Sequence, residues 1–275
     1  MYRNTFLSVM FLACCFNGSL CAQSDAQIYE RTCDAKTYPF SDPSPVATPN
    51  NSYYPYFRFD GFSMQAQEKQ WKMVVLENDY VKLTVTPEIG GKIWGAIDKV
   101  NNKEFVYTNG VVKFRDVAMR GPWTSGGIEF NFGIIGHAPT CSTPIDYLTK
   151  KNVDGSVSCH IFSYEWITRT VWNVEINLPK DKAYFTTHTT WFNQSSIDQP
   201  YYQWMNAGYA TKTGTRFYYP GTYSIGHSGD LHPYPIDEEG RDVSWYDNNN
   251  FGASKSLHII GDYNDYFGIY WHNEK

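Results

Sequence analysis

Charge and cysteine are both scarce in this chain of 275 residues, and each scarcity excludes a class of protein. Charged residues make up 19% of the sequence, with 23 Lys and Arg against 28 Asp and Glu. Nucleic acids and anionic membranes require a basic face, so the net charge of −5 makes both poor partners. The six cysteines do not have the spacing of zinc-binding motifs.

Several short catalytic motifs are also absent. The sequence contains no Gly-rich phosphate loop, no Gly-x-Ser-x-Gly elbow and no His-Glu-x-x-His. Nucleotide chemistry and serine hydrolysis are therefore not predicted. His227 and His232 bracket Asp230, but this spacing in a Gly-Pro loop is a weak metal signal, so no metal and no cofactor are predicted.

The N-terminus has the pattern of an export signal. Arg3 precedes an apolar run over residues 6–16, and small residues lead to Ala22. This run is too short to span a membrane, so we predict a signal peptide over residues 1–22 and a secreted or periplasmic protein without a transmembrane segment. Lipid attachment at Cys14 or Cys15 is the alternative.

Removal of residues 1–22 leaves 22 basic and 28 acidic residues, a net charge of −6, and three cysteines. These are Cys33, Cys141 and Cys159, so at most one disulfide can form, and the sequence does not decide whether one does. Cys159 alternates with apolar neighbours in a strand-like run, which predicts a small buried core residue.

The remaining chain is rich in aromatic residues and in strand patterns. Aromatic residues make up 17%, and period-two runs rich in Val, Ile, Thr, Tyr and Trp follow one another from Trp71 onward. No segment sustains a helical period over a dozen residues. The sequence therefore predicts an all-β fold, a large antiparallel β-sandwich, over residues 71–275.

Two further predictions concern the ends of this domain. Residues 37–60 contain five prolines, so we predict an N-terminal arm or linker over residues 23–70. The last strand pattern stops at the C-terminus, which favours a sandwich that is incomplete there and further domains beyond it.

Residues 120–140, RGPWTSGGIEFNFGIIGHAPT, form the most unusual stretch. In an extended strand, Glu129 and Asn131 point to one side, while Ile128, Phe130 and Phe132 point to the other. The nearby glycines suggest that the backbone must lie close to something, and they are Gly121, Gly126, Gly127, Gly133 and Gly136. A binding face around Glu129 is one interpretation, and a strand with its polar face in water is the other.

Residues 83–109, LTVTPEIGGKIWGAIDKVNNKEFVYTN, resemble the N-terminal signature of the galactose mutarotase-like, or aldose epimerase-like, superfamily. Gly90 and Gly91 suit a corner that needs positive φ, and Asn101 and Asn102 suit a hairpin turn. The stretch around Glu129 is similar to a secreted branch of this superfamily, the domain of unknown function 5107. The resemblance covers roughly residues 71–275.

This resemblance implies a β-supersandwich whose concave face binds a sugar. Epimerases of the superfamily use a histidine as acid and a glutamate as base. Residues 189–209 have Trp204, Met205 and Asn206 where that histidine is expected, which counts against ring-opening chemistry.

The candidate site residues follow from these two stretches. Glu129 and His137 are the predicted acid and base, with Glu165 and His188 as weaker candidates for a second catalytic group. Hydrogen-bonding and stacking residues for a sugar are predicted to be Arg120, Trp123, Asn131, Trp204 and Asn206. Each residue also has a purely structural interpretation, as a solvated strand end, a sheet histidine or a core tryptophan.

Three functions are compatible with this pattern. The first is a carbohydrate-active enzyme, of glycoside hydrolase-like or epimerase-like type. The second is a glycan-binding module of a longer protein, and the third is a structural β-domain. Paired carboxylates work at roughly 5 to 9.5 Å, so the enzyme requires a second acid or base near Glu129, whereas an isolated Glu129 favours binding.

Overall fold

The computed structural model describes residues 24–40, 61–116, 122–133, 138–165, 168–200, 202–226, 229–249, 258–259, 266 and 268–274. In this part of the chain, regular structure consists of strands and three single 3-10 turns. The predicted all-β fold is confirmed.

The strands, in chain order, are β1 (Gln27–Tyr38), β2 (Gln67–Glu77), β3 (Val81–Thr86), β4 (Lys92–Asp98), β5 (Lys103–Val106), β6 (Val112–Lys113), β7 (Arg115–Asp116), β8 (Pro122–Trp123), β9 (Ile128–Gly133), β10 (Asp146–Lys151), β11 (Val157–Glu165), β12 (Thr170–Leu178), β13 (Thr186–Asn193), β14 (Tyr202–Ala207), β15 (Thr215–Tyr218), β16 (Tyr223–Ile225), β17 (Leu231–Pro233), β18 (His258–Ile259) and β19 (Gly268–Trp271). The 3-10 turns are Pro87–Ile89, Pro139–Cys141 and Tyr246–Asn248.

Two sheets form the body of the sandwich. The first sheet has the order β14-β9-β4-β3-β2-β1-β6, with β5 also pairing with β4. Its pairings are antiparallel except for the short parallel contact between β1 and β6. The second sheet has the antiparallel order β10-β11-β12-β13. The predicted β-sandwich is therefore confirmed.

The main core lies between the two sheets and follows from their period-two patterns. Along β12 the residues alternate between buried and half-buried, and Trp172 on its inner side stacks on Phe132 of β9 with ring centroids 4.5 Å apart. Cys159 of β11 is fully buried in this core, as its neighbours predicted. All three described cysteines are free thiols.

A second apolar cluster covers the other face of the first sheet. Trp71 and Met73 of β2 pack there with Trp94 of β4 and with Phe114, and Cys33 and Ala35 of β1 lie against them. The first sheet is consequently buried on both sides over much of its area, which explains why β4 and β9 contain almost no exposed residue.

β1 lies within the segment that was predicted as an arm or linker. It pairs with β2 over eleven consecutive positions, from Gln27 opposite Glu77 to Thr37 opposite Gln67. The proline-rich part of that segment, residues 41–60, and the predicted signal peptide lie outside the described residues. In the described part of the chain, no helix has the length and apolar character needed to cross a membrane.

Candidate functional site

Strand β9 places Glu129 and Asn131 on the face of the first sheet that points away from the main core. Ile128, Phe130 and Phe132 enter that core, as the alternation predicted. The opposite side of β9 is not in water, since Glu129 and Asn131 are each only 1% exposed. The interpretation of β9 as a strand with a solvated polar face is therefore wrong.

The Glu129 carboxylate is fixed by two amides from neighbouring positions. Its Oε1 accepts hydrogen bonds from Nδ2 of Asn131 at 2.8 Å and from Nδ2 of Asn206 at 3.2 Å. Asn206 stands directly opposite Glu129 in the pairing of β14 with β9. Asn131 Oδ1 in turn accepts the backbone N–H of Ala138 at 3.2 Å, so the same network holds the backbone at Ala138.

Lys92 is the ionisable neighbour of Glu129, and the sequence analysis did not select it. Ile93 pairs with Ile128 across β4 and β9, which places Lys92 across from Glu129. The Lys92 side chain is 1% exposed, and its Nζ donates to the carbonyl oxygen of Thr124 and, at 3.1 Å, to Thr124 Oγ1. Glu129, Lys92 and Asn206 thus form a polar row across three strands, in which Glu129 and Lys92 are buried and Asn206 is half-buried.

The charges of this row influence one another. Burial lowers the pKa of Lys92 below its ordinary value of 10.5, and the nearby Glu129 carboxylate partly opposes that shift. Burial raises the pKa of the Cys141 thiol well above 9.0, and the nearby Glu129 raises it further. Cys141 therefore remains a neutral thiol.

Tryptophans and polar loop residues surround the row. Trp204 stands opposite Asn131 on the same face and is half-buried. Trp94 of β4 lies with its ring centroid 5.9 Å from Lys92 Nζ, and its Nε1 donates to the Asn109 carbonyl at 3.1 Å. Trp123, also half-buried, immediately precedes the Thr124 that Lys92 holds.

Two glycines before β9 allow the chain to approach itself. A Cβ added to Gly127, which has φ of +65°, would lie 2.2 Å from the Ile93 carbonyl oxygen. One added to Gly126 would lie 3.0 Å from the Tyr107 ring. The sequence analysis suggested that the backbone near these glycines lies close to something. At Gly126 and Gly127, that neighbour is another part of the same chain.

The two sequence stretches that carried the resemblance meet in space. The Gly90 N–H donates to the Thr143 carbonyl at 2.8 Å, and the Ile145 N–H donates to Pro87 O at 3.0 Å. A Cβ on Gly90 would lie 2.5 Å from the carbonyl oxygen of Thr140, the last residue of the second stretch. The positive φ predicted for this corner is confirmed, at +65° for Gly90 and +69° for Gly91.

The weaker catalytic candidates lie elsewhere. Glu165 is on the core-facing side of β11, opposite Thr170, whereas Glu129 is on the far side of the first sheet. Its Oε2 accepts hydrogen bonds from the N–H and the hydroxyl of Thr168, at 2.6 and 2.5 Å. Glu165 therefore fixes the turn between β11 and β12, and because it is 6% exposed, its interpretation as a solvated strand end is wrong.

His188 stands opposite Glu175 on the outer face of the second sheet and is exposed. His160 is on the same outer face, and its Nε2 is 3.7 Å from Glu175 Oε1. His188 consequently does not line the Glu129 face. Arg120, His137 and His227 lie outside the described residues.

Of the three residues in the weak metal signal, Asp230 and His232 lie within the described residues. His232 Nδ1 lies 3.2 Å from Glu238 Oε1, and both side chains are about half exposed. Within the described ranges, no group of three or more His, Cys, Asp or Glu side chains could hold a metal ion.

Sequence reasoning missed Lys92 because its argument began at Glu129 and did not include the preceding strand pair. A signal was present, since Lys92 is the one charged residue of the run Gly91 to Ile97 and interrupts a strand that is otherwise apolar on both faces. Such a charge must be paired when the strand is buried.

A solved structure and a family model are both similar to this chain. A crystal structure of a TPR-domain containing protein from Parabacteroides distasonis ATCC 8503, at 2.26 Å resolution, has the same fold, with a TM-score of 0.68 and 24% sequence identity. The match covers 80% of this chain and 38% of that one, so this chain spans well under half the length of that protein. Residues 48–275 also match the family model described as Domain of unknown function (DUF5107). The chain therefore belongs to the DUF5107 family.

Proposed function

We propose that this protein binds a carbohydrate on the face of the first sheet that carries Glu129, at the half-buried Asn206 and Trp204, with the buried Glu129 holding Asn206 in place. The proposal extends the sequence resemblance to the galactose mutarotase-like superfamily, in which the concave face of the sandwich holds a sugar. It includes the predicted export of the chain through residues 1–22, which would place the site outside the cytoplasm.

The observation that carries the proposal is the fixed polar row beside half-buried tryptophans. Glu129 Oε1 is held by two amides, and Trp204 stands next to the row on the same face. Carbohydrates are bound by such combinations, because hydroxyl groups pair with carboxylates and amides while the apolar faces of the ring pack on aromatic side chains. Immobilised polar groups also reduce the entropy lost on binding.

A second candidate function, acid/base processing of a glycan, is favoured by Lys92. General acid/base catalysis requires an ionisable group whose pKa is shifted toward the working pH, and burial lowers the pKa of Lys92. Lys92 and Glu129 together would supply a proton donor and an acceptor. Neither Glu165 nor His188 shares their face, so two-carboxylate hydrolysis with those partners is not part of the proposal.

The test uses the full chain on a panel of glycans, measured both for retention and for release of reducing sugar. Glu129→Gln preserves the oxygen that accepts from Asn131 and Asn206 while removing the charge, so the fold should survive. Glu104→Gln, an exposed position in β5, is the matched control. We expect Glu129→Gln to weaken retention about tenfold or more and the control to leave it unchanged.

The same panel separates the two candidates. Loss of sugar release by Glu129→Gln and by Lys92→Met, with retention preserved, would identify processing. Loss of retention without any release in the unsubstituted protein would identify binding alone. If both substitutions leave retention and release unchanged, Glu129 and Lys92 have no part in the function.

The tryptophans are tested separately. Trp123→Ala and Trp204→Ala should each weaken retention, while Phe192→Ala, an exposed aromatic on the outer side of β13, should not. Equal retention by all three variants would exclude stacking on these tryptophans.

A further inference from the structure

A second cluster of aromatic side chains lies near the C-terminus, away from Glu129. Strands β15 and β19 form a two-stranded ribbon in which Arg216 pairs with Tyr270 and Tyr218 pairs with Gly268. Because residues paired in antiparallel strands share a face, Arg216, Tyr218 and Tyr270 lie on one side of the ribbon. His272 and Trp245 complete the set, which we call the ribbon face.

The members of the ribbon face hold one another in place. The His272 ring is 4.8 Å from the Trp245 ring and 4.6 Å from the Tyr270 ring, and its Nε2 lies 3.0 Å from the Tyr218 hydroxyl. The Arg216 guanidinium lies 5.2 Å from the Tyr218 ring and 5.0 Å from the Trp245 ring. These contacts fix the rings before any ligand arrives, which lowers the entropy cost of binding.

The ribbon face is open to solvent and contains a gap. Tyr270 is 54% exposed and His272 is exposed as well. Gly268, which stands opposite Tyr218, has no side chain, and a Cβ added there would meet none of the described residues within 4 Å. The gap over Gly268 is therefore bordered by Tyr218, which stands across the ribbon, and by Tyr270, which lies two residues along the same strand.

The charges of the ribbon face indicate an uncharged ligand. Arg216 is offset by Asp242, whose Oδ2 lies 3.8 Å from Nη2, and its Nε donates to Ser244 Oγ at 3.1 Å. Because Asp242 lies beside the Arg216 guanidinium, the ribbon face offers no uncompensated charge to either a cationic or an anionic ligand. Hydroxyl groups, in contrast, can pair with the Tyr218 hydroxyl and the His272 imidazole.

We infer that the ribbon face is a second binding site, which takes a neutral pyranose in the gap over Gly268 against the Tyr218 and Tyr270 rings. The ribbon is a different sheet from the one that carries the polar row at Glu129. Glu274 is two residues after His272, and its Oε2 lies 3.6 Å from Nζ of Lys103 in β5. Lys103 stands opposite Asp98 in the pairing of β5 with β4. Asp98 is at the end of β4 opposite to Lys92, about 20 Å away along the strand.

The experiment titrates the full chain with neutral trisaccharides of glucose, galactose and mannose and, for comparison, with a trisaccharide of galacturonic acid. Tyr270→Ala removes an exposed ring, and Gly268→Val fills the gap without a positive φ to oppose it. Tyr184→Ala is the matched control, because Tyr184 is 52% exposed and precedes β13 of the second sheet.

We expect at least one neutral trisaccharide to bind, the acidic one to bind more weakly, and Tyr270→Ala and Gly268→Val each to weaken binding about tenfold. Glu129→Gln should retain this binding, which separates the ribbon face from the proposed function of the polar row. Equal affinities for Tyr270→Ala and Tyr184→Ala, loss of all binding in Glu129→Gln, or no binding of any neutral trisaccharide would each overturn the inference.

Discussion

Lys92 and Glu129 form the charged centre of the site, and their burial determines what each contributes to stability. Taking one charge out of water costs several kcal/mol, and a neighbouring opposite charge recovers part of that cost. Both side chains are 1% exposed, and the Glu129 charge favours the protonated form of Lys92. Removal of one member therefore leaves a buried charge without its counterpart.

A double-mutant cycle tests this coupling. We expect Lys92→Met and Glu129→Gln each to lower the free energy of unfolding by about 2 to 4 kcal/mol, and the double variant to lose at least about 1 kcal/mol less than the sum of the two. Urea denaturation measures all three. The control cycle uses Lys72 and Glu30, whose charged atoms are 3.8 Å apart with side chains 50% and 49% exposed, and its coupling should stay below about 1 kcal/mol.

Because the Cys159 thiol is buried, we expect the protein to lose stability at alkaline pH. Burial raises its pKa from 9.0 to about 12, so the folded state retains a proton that the unfolded state releases between these values. The stability contributed by the neutral thiol is present below pH 9 and is lost as the pH rises toward 12.

The measurement is the free energy of unfolding at pH 8 to 11. Cys159→Ala should reduce the downward slope above pH 9 by at most about 1.4 kcal/mol per pH unit, the effect of one proton. Cys33→Ala, at a half-buried position, is the comparison variant. Identical slopes for both variants and the unsubstituted chain would contradict the buried-thiol explanation.

At the scale of an element, the turn before β9 depends on the absence of a side chain at Gly127. Alanine substitutions at three glycines distinguish strain from a positive φ from strain caused by a close contact. Gly127 has φ of +65° and a close contact for an added Cβ, whereas Gly240 has φ of +78° and no described neighbour within 4 Å of an added Cβ. Gly110 has neither a positive φ nor such a contact among the described residues. We expect alanine to cost least at Gly110, about 1 to 2 kcal/mol at Gly240, and about 3 kcal/mol or more at Gly127.

Thermal denaturation of the three alanine variants measures this order. The difference between Gly127 and Gly240 reports the close approach of the chain to the Ile93 carbonyl. A Gly127→Ala variant as stable as Gly240→Ala would show that this approach relaxes at little cost.

The β9 element also shows how far pattern reading reaches. Alternation placed Ile128 and Phe130 in the core and Glu129 on the opposite face, which the pairing with β14 confirms. Alternation says nothing about what covers the Glu129 face. That depends on the second apolar cluster, which contains Trp71, and on residues 138–143, and the alternation within β9 includes neither. The burial of Glu129 and the position of Lys92 beside it could not be read from β9 alone.

At the scale of the whole molecule, the sandwich requires a strand that lies outside the family match. The family model begins at residue 48, whereas β1 (Gln27–Tyr38) covers the edge of β2 over eleven positions. Without β1, the backbone groups of that edge lose their partners, and Trp71 and Met73 lose the contacts with Cys33 and Ala35.

A truncation series tests this requirement. We expect a chain beginning at residue 41 to unfold with a free energy lower by about 3 kcal/mol or more than that of a chain beginning at residue 24, because about ten backbone hydrogen bonds are lost. Urea denaturation and dye binding to exposed apolar surface are the measurements. Equal stability of the two chains would show that the matched region folds without β1.

The sequence by itself determined the all-β class, the faces of β9 and the left-handed corner at Gly90 and Gly91, because each depends on local alternation or on backbone sterics. Only the tertiary structure decided that Lys92 stands beside Glu129, that Glu165 and His188 lie away from them, and that Tyr218, Tyr270 and Trp245 form one face. The physical reason is that strand order and register join residues far apart in the chain, and a period of two fixes which side a residue takes but not its neighbours there.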